Sequence, residues 1–78
     1  MIIKILGPGC ANCKRLETNV RQALDRSSLE ATVVKVEDYG DMLAFGVQST
    51  PALVVDERVR IAGRVPSVGQ IQELLDAP

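Results

Sequence analysis

The stretch Gly7-Pro8-Gly9-Cys10-Ala11-Asn12-Cys13-Lys14 constrains this chain more than any other. It holds both cysteines, spaced Cys-x-x-Cys, and follows directly on the apolar run Ile2-Ile3-Lys4-Ile5-Leu6. Downstream, Cys13, Leu16, Val20 and Leu24 recur at intervals of three and four, while Lys14, Arg15, Glu17, Arg21, Asp25 and Arg26 fill the other face of a helix. The two cysteines therefore stand where a strand gives way to a helix. At such a junction, unpaired backbone N–H groups and the positive end of the helix dipole favour the thiolate form of Cys10.

The rest of the composition narrows what that junction can do. With 78 residues the chain is expected to form a single domain, 1–78, around a small core. Nine basic residues are set against ten acidic ones, the basic residues are scattered, and one Tyr and one Phe are all the chain has for base stacking. This composition argues against nucleic-acid binding. The apolar run at the N-terminus is five residues long and contains Lys4, too short for a signal peptide or a membrane span, so the expectation is a cytoplasmic protein that does not engage a membrane. In that compartment a structural disulfide is uncommon, and a Cys-x-x-Cys loop is too small to constrain the unfolded chain much. The pair is better suited to redox chemistry or to metal binding.

Along the chain, the periods of two and of 3.6 alternate. Residues 2–6 read as a central strand covered on both faces, since Ile2, Ile3, Ile5 and Leu6 occupy both. A helix runs from 11 to about 26 and ends at Ser27-Ser28. Residues 30–37 form a second, more peripheral strand, and the βαβ unit so made is expected to be parallel with a right-handed crossover. Asp38 can cap a short helix through Met42, Leu43 and Phe45 that Gly46 terminates, although Gly40 weakens it. Ala52-Leu53-Val54-Val55 and Arg58-Val59-Arg60-Ile61-Ala62 are spaced as a hairpin, whose Asp56-Glu57 turn lacks the glycine a tight primed turn prefers. Arg58 and Arg60 alternate with Val59 and Ile61, the pattern of a strand with one wet face. Ser67 and Gln70 make a capping box for a last helix with Val68, Ile71, Leu74 and Leu75 as its buried stripe.

This β-α-β-α-β-β-α order, with Cys-x-x-Cys opening the first helix and Gly46-Val47-Gln48-Ser49-Thr50-Pro51-Ala52 leading into the hairpin, resembles the thioredoxin superfamily in its minimal form. More narrowly, it resembles the small prokaryotic redox-active disulfide proteins intermediate between thioredoxin and glutaredoxin. The resemblance covers nearly the whole chain. It implies an α/β fold with a four-stranded mixed sheet of order 2-1-3-4 and three flanking helices.

It also implies roles. Cys10 matches the family's nucleophile and Cys13 the resolving cysteine, with a thiol-disulfide oxidoreductase activity and electron transport as the expected function. Pro51 matches the family's cis-proline beside the dithiol, an arrangement that leaves the backbone of Thr50 open to an extended substrate peptide. Gly9, Ala11, Asn12 and Gly63 are expected around the same substrate site. The implied partners are disulfide-containing proteins and, as electron donor, a flavoprotein disulfide reductase or glutathione. No cofactor or metal is called for, and a monomer is expected.

The departures matter as well. No Trp precedes the cysteines, and neither Gly-Pro nor Pro-Tyr lies between them. Thioredoxins carry a buried acid on the strand before the dithiol, whereas Lys4 is the only ionisable residue there. Lys4 either lowers the thiol pKa values by facing the dithiol or reaches solvent at the strand end. The glutaredoxin Gly-Gly-x-Asp turn is replaced by Gly63-Arg64 and Ser67, which either meet glutathione carboxylates or simply bend and cap the chain. Lys14 and Arg15 either raise the thiolate population or form a solvated helix face. Two other classes compete: a Cu(I)-binding module of the heavy-metal-associated type, and a thioredoxin-like scaffold that binds a partner without turnover. Against the metal module stand Pro8 where those domains carry Met, the terminal helix, and the Thr-Pro that opens a hairpin.

Overall fold

The computed structural model describes residues 1–9, 11–47 and 49–76. Strand β1 (Ile2–Leu6) leads to helix α1 (Ala11–Ser27), strand β2 (Thr32–Val36), helix α2 (Tyr39–Ala44), the hairpin strands β3 (Ala52–Val55) and β4 (Arg58–Ala62), and helix α3 (Val68–Asp76). The four strands form one sheet of order β2-β1-β3-β4. β1 runs parallel to β2, with Ile3 opposite Val33 and Ile5 opposite Lys35, and antiparallel to β3, with Ile3 opposite Val55 and Leu6 opposite Ala52. This is the β-α-β-α-β-β-α arrangement and strand order of a minimal thioredoxin fold.

Period-two alternation divides the core between the two faces of the sheet. Ile3, Ile5, Leu53, Val55 and Ile61 face one way and are covered by Leu16, Val20, Ala23 and Leu24 of α1 and by Ile71 and Leu75 of α3. Leu6, Ala52 and Val54 face the other way, beneath Met42 of α2 and Val47. The double coverage of β1 begins at Ile3, because Ile2 is 45% exposed. β2 is shorter than its β-branched run and is the wetter edge strand, with Thr32, Val34 and Lys35 exposed.

The helix ends explain the boundaries. At the end of α1 the N–H of Leu29 donates to Leu24 O and that of Ser28 to Asp25 O, while Ser28 adopts φ +53, a Schellman closure with serine in the left-handed position. α2 closes the same way through Val47 to Met42 O and Gly46 to Leu43 O, with Gly46 at φ +74. Asp38 caps α2 by accepting from the Asp41 N–H. The capping box of α3 is reciprocal: Gln70 N–H donates to Ser67 Oγ at 3.2 Å, and Ser67 N–H donates to Gln70 Oε1 at 2.9 Å.

Two features of the hairpin differ from the sequence pattern. Leu53 pairs with Ile61 but Val54 pairs with Val59, so Arg60 is the extra residue of a β-bulge. Val59 and Ile61 consequently lie on opposite faces, 41% and 5% exposed, and β4 does not alternate as one wet and one dry side. In the turn, Asp56 and Glu57 both take positive φ, +48 and +68, so a primed turn forms without glycine. Contacts to β1 hold it there. Asp56 Oδ1 accepts from Ile2 N–H at 2.8 Å, Asp56 N–H donates to Ile2 O at 2.9 Å, and Lys4 Nζ reaches Glu57 Oε1 at 2.7 Å.

Candidate functional site

The carboxyl end of β1 brings the candidate residues together. Pairing with β2 continues one residue past the strand, where Gly7 N–H donates to Val36 O at 2.9 Å. Gly7 is buried, and a Cβ placed on it would overlap Cys13 Sγ and stand 3.9 Å from Pro51 Cα. Glycine is thus needed here for lack of a side chain, because the Cys13 sulfur packs directly on the backbone. In the sequence, Gly7 is simply the first residue after the apolar run Ile2–Leu6. Its distinguishing signal, the close approach of a residue six positions away, exists only once α1 folds back on the sheet.

Cys13 lies in the first turn of α1 and is 6% exposed. The last turn of α1 holds Arg26, which suits the negative end of the helix dipole, whereas the first turn has no acidic residue to offset the positive end. Ala11 and Asn12 are exposed beside it. Gly9 adopts φ +85, a conformation glycine takes without strain, with open space where a side chain would be. Cys10 lies outside the described residues, as does Gln48 of the segment leading to Pro51.

Opposite this junction, the Thr50–Pro51 peptide bond is cis, with Thr50 exposed and Pro51 buried. Gly63 is tied to it: its N–H donates to Pro51 O at 2.9 Å, its φ is +79, and a Cβ there would meet Ser49 Cβ at 3.0 Å. Gly7, Cys13, Thr50, Pro51 and Gly63 therefore form one neighbourhood at one end of the sheet.

Other candidates fall elsewhere. Lys4 lies on the α2 face of the sheet, away from α1, with its ammonium on Glu57 and 4.9 Å from the Phe45 ring centre. Arg64 borders a shallow groove with Arg60, Gln70 and Glu73, and both the N–H and the hydroxyl of Ser67 are engaged in the α3 cap. Two residues not singled out by the sequence do border Cys13. A cavity of about 210 Å³ between Cys13, the Gly7–Gly9 loop and β2 carries Glu17 and Lys35 as well as Lys14. Glu17 Oε1 is 2.9 Å from Lys35 Nζ, and Oε2 is 2.9 Å from Arg21 Nη2. Hydrogen bonds from Lys35 and then Arg21 hold the Glu17 carboxyl below its ordinary pKa.

Among the described residues, no group of three or more His, Cys, Asp or Glu side chains is arranged to hold a metal ion, and no helix is long and apolar enough to cross a membrane.

Comparison with known proteins agrees with this geometry. Residues 1–76 match the family model described as a thioredoxin domain. The chain is 39% identical over 75 residues to a thioredoxin of Methanothermobacter thermautotrophicus, spanning 96% of this chain and 97% of the relative. It is 35% identical over 75 residues to a thioredoxin of Methanocaldococcus jannaschii, spanning 96% and 86% respectively. A strand that delivers Cys13 to the start of a helix beside Thr50-Pro51, a four-stranded 2-1-3-4 sheet and end-to-end similarity to two thioredoxins lead to one conclusion: the chain belongs to the thioredoxin family.

Proposed function

We propose that the protein is a dithiol-disulfide oxidoreductase in which Cys10 is the nucleophile and Cys13 the resolving thiol. The observation that carries this reading is the placement of Cys13: first turn of α1, nearly buried, its sulfur against Gly7 and next to the Pro51 loop. A cysteine so placed is screened from outside attack, as suits a group that acts second.

The chemistry follows from thiol-disulfide exchange. The Cys10 thiolate attacks one sulfur of a substrate disulfide, forming a mixed disulfide and releasing the first substrate thiolate. Cys13 then loses its proton and attacks the Cys10 sulfur. A Cys10-Cys13 disulfide forms, the mixed disulfide breaks, and the second substrate thiolate departs. The substrate gains two electrons and the protein loses two. A flavoprotein disulfide reductase or glutathione returns them. Thr50, exposed beside buried Pro51, offers backbone to an extended substrate segment, while Gly9, Ala11, Asn12 and Gly63 border the same approach. The protein acts as a monomeric single domain on disulfide-bearing proteins in the cytoplasm.

The test is reduction of insulin disulfides with dithiothreitol or a reductase as donor. Wild type is expected to turn over, Cys10→Ser to lose turnover, and Cys13→Ser to accumulate mixed disulfide. Undiminished turnover in Cys10→Ser overturns the assignment.

A further inference from the structure

The cavity beside Cys13 contains charge that the exchange steps above do not use. Glu17 follows Cys13 by four residues, so the two are neighbours along α1. Lys35 arrives by strand register: it stands opposite Ile5, on the face that α1 covers, and its ammonium meets Glu17 Oε1 at 2.9 Å. Arg21 takes the other oxygen through Nε at 3.1 Å and Nη2 at 2.9 Å. The Glu17 side chain is 17% exposed, whereas those of Lys35 and Arg21 are 55% and 58% exposed. The carboxylate is thus the most enclosed member of a trio whose net charge is positive. Among the described residues, Lys14 of α1 and Glu37, one residue past β2, are the other charged groups lining the cavity, and β1 adds none, since its Lys4 lies on the other face.

We propose that Glu17 and Lys35 are positioning residues that set the electrostatic environment of the Cys13 thiol, Lys35 favouring the thiolate and Glu17 opposing it while holding Lys35 in place. The proposal rests on the reading of Cys13 as the resolving thiol. That step needs a thiolate at a nearly buried sulfur, where burial alone favours the neutral thiol. The proton leaves through solvent reaching the cavity and returns to the departing substrate thiolate, so no further oxidant or reductant enters. Glu17 is not the proton acceptor here. Bound by two cations, it stays ionised and is a poor base at neutral pH.

The two partners carry opposite charge, so their removal has opposite consequences, which a purely structural role for the pair would not produce. In the Cys10→Ser protein, Cys13 is the sole thiol, and its titration can be followed by thiolate ultraviolet absorbance. Glu17→Gln is expected to lower the Cys13 pKa, Lys35→Gln to raise it, and the double variant to return near the parent. Each single shift is expected to be about half to one pH unit, a three- to tenfold change in thiolate fraction below the pKa. Lys35→Arg should keep the parent value, and Lys35→Glu should give the largest upward shift. Shifts of the same sign in the two Gln variants, or none, overturn the proposal. If Glu17→Gln does not fold, an unchanged pKa in Lys35→Glu overturns it equally. The readout involves no turnover, so failure of insulin reduction leaves this result standing, and failure here leaves the oxidoreductase reading to its own test.

Discussion

The two ends of the β1/β3 pair solve opposite backbone problems. At the carboxyl end of β1, Gly7 is needed because the Cys13 sulfur occupies the space a side chain would take. At the amino end, Ile2 meets a turn in which Asp56 and Glu57 hold left-handed φ values that glycine would adopt freely, and side-chain contacts from Asp56 and Lys4 hold them there. The first end is defined by an absent side chain and the second by side chains offsetting a poor backbone. Substitution should therefore be costly at one and open to improvement at the other.

The largest effect is expected at Gly7. A methyl group there must displace the Cys13 sulfur or the chain carrying it, so Gly7→Ala should destabilise by about 1–3 kcal/mol in urea unfolding. Disulfide reduction should slow on the order of tenfold or more, because the shifted atom belongs to the proposed reacting pair. A Gly7→Ala protein as stable and active as wild type would break the contrast between the ends.

A smaller effect of opposite sign is expected at the turn. The double substitution Asp56→Asn, Glu57→Gly keeps the oxygen that accepts from Ile2 and relieves left-handed strain of about 1–2 kcal/mol per residue. It also removes the Lys4–Glu57 pair, in which Glu57 is 62% exposed and which is worth about 0.2–1 kcal/mol. A net gain of about 0.5–1 kcal/mol should appear in thermal unfolding with turnover unchanged. A loss would mean that Lys4 contributes more to this end than its exposure allows.

The smallest effect sharpens the role of charge near the first end. The folded state holds the Glu17 pKa below its ordinary value, so its contribution to stability is present above the unfolded pKa and is lost as pH falls through the folded one. The stability difference between wild type and Glu17→Gln should therefore shrink as pH falls below about 4. Its magnitude should be modest because both cationic partners are largely solvated. A difference that persists unchanged at pH 2 would assign the Glu17 effect to packing.

Most of the fold was legible from periodicity and caps, because those signals are local. Leu16, Val20 and Leu24 repeat with the helix, the Ser67 and Gln70 pair closes its own box, and Asp38 caps its own turn. The Cys-x-x-Cys and Thr-Pro segments pointed to the candidate site for the same reason. What stayed hidden depends on register between distant segments. Arg58 and Arg60 alternate in sequence, but the bulge at Arg60 becomes visible only when β4 is laid against β3. Glu17 and Lys35 look like ordinary surface residues eighteen positions apart until β2 pairs with β1. Gly7 reads as a loop glycine until the cysteine six positions on returns to lie over it.

The bulge has a consequence for how such a small molecule behaves among its neighbours. An outer strand invites other chains to extend the sheet, and β4 is such an edge in this four-stranded sheet. With one residue too many in β4 and arginines at 58 and 60, this rim cannot lay down an even ladder for a stranger, so the sheet is guarded along the flank where it would otherwise grow.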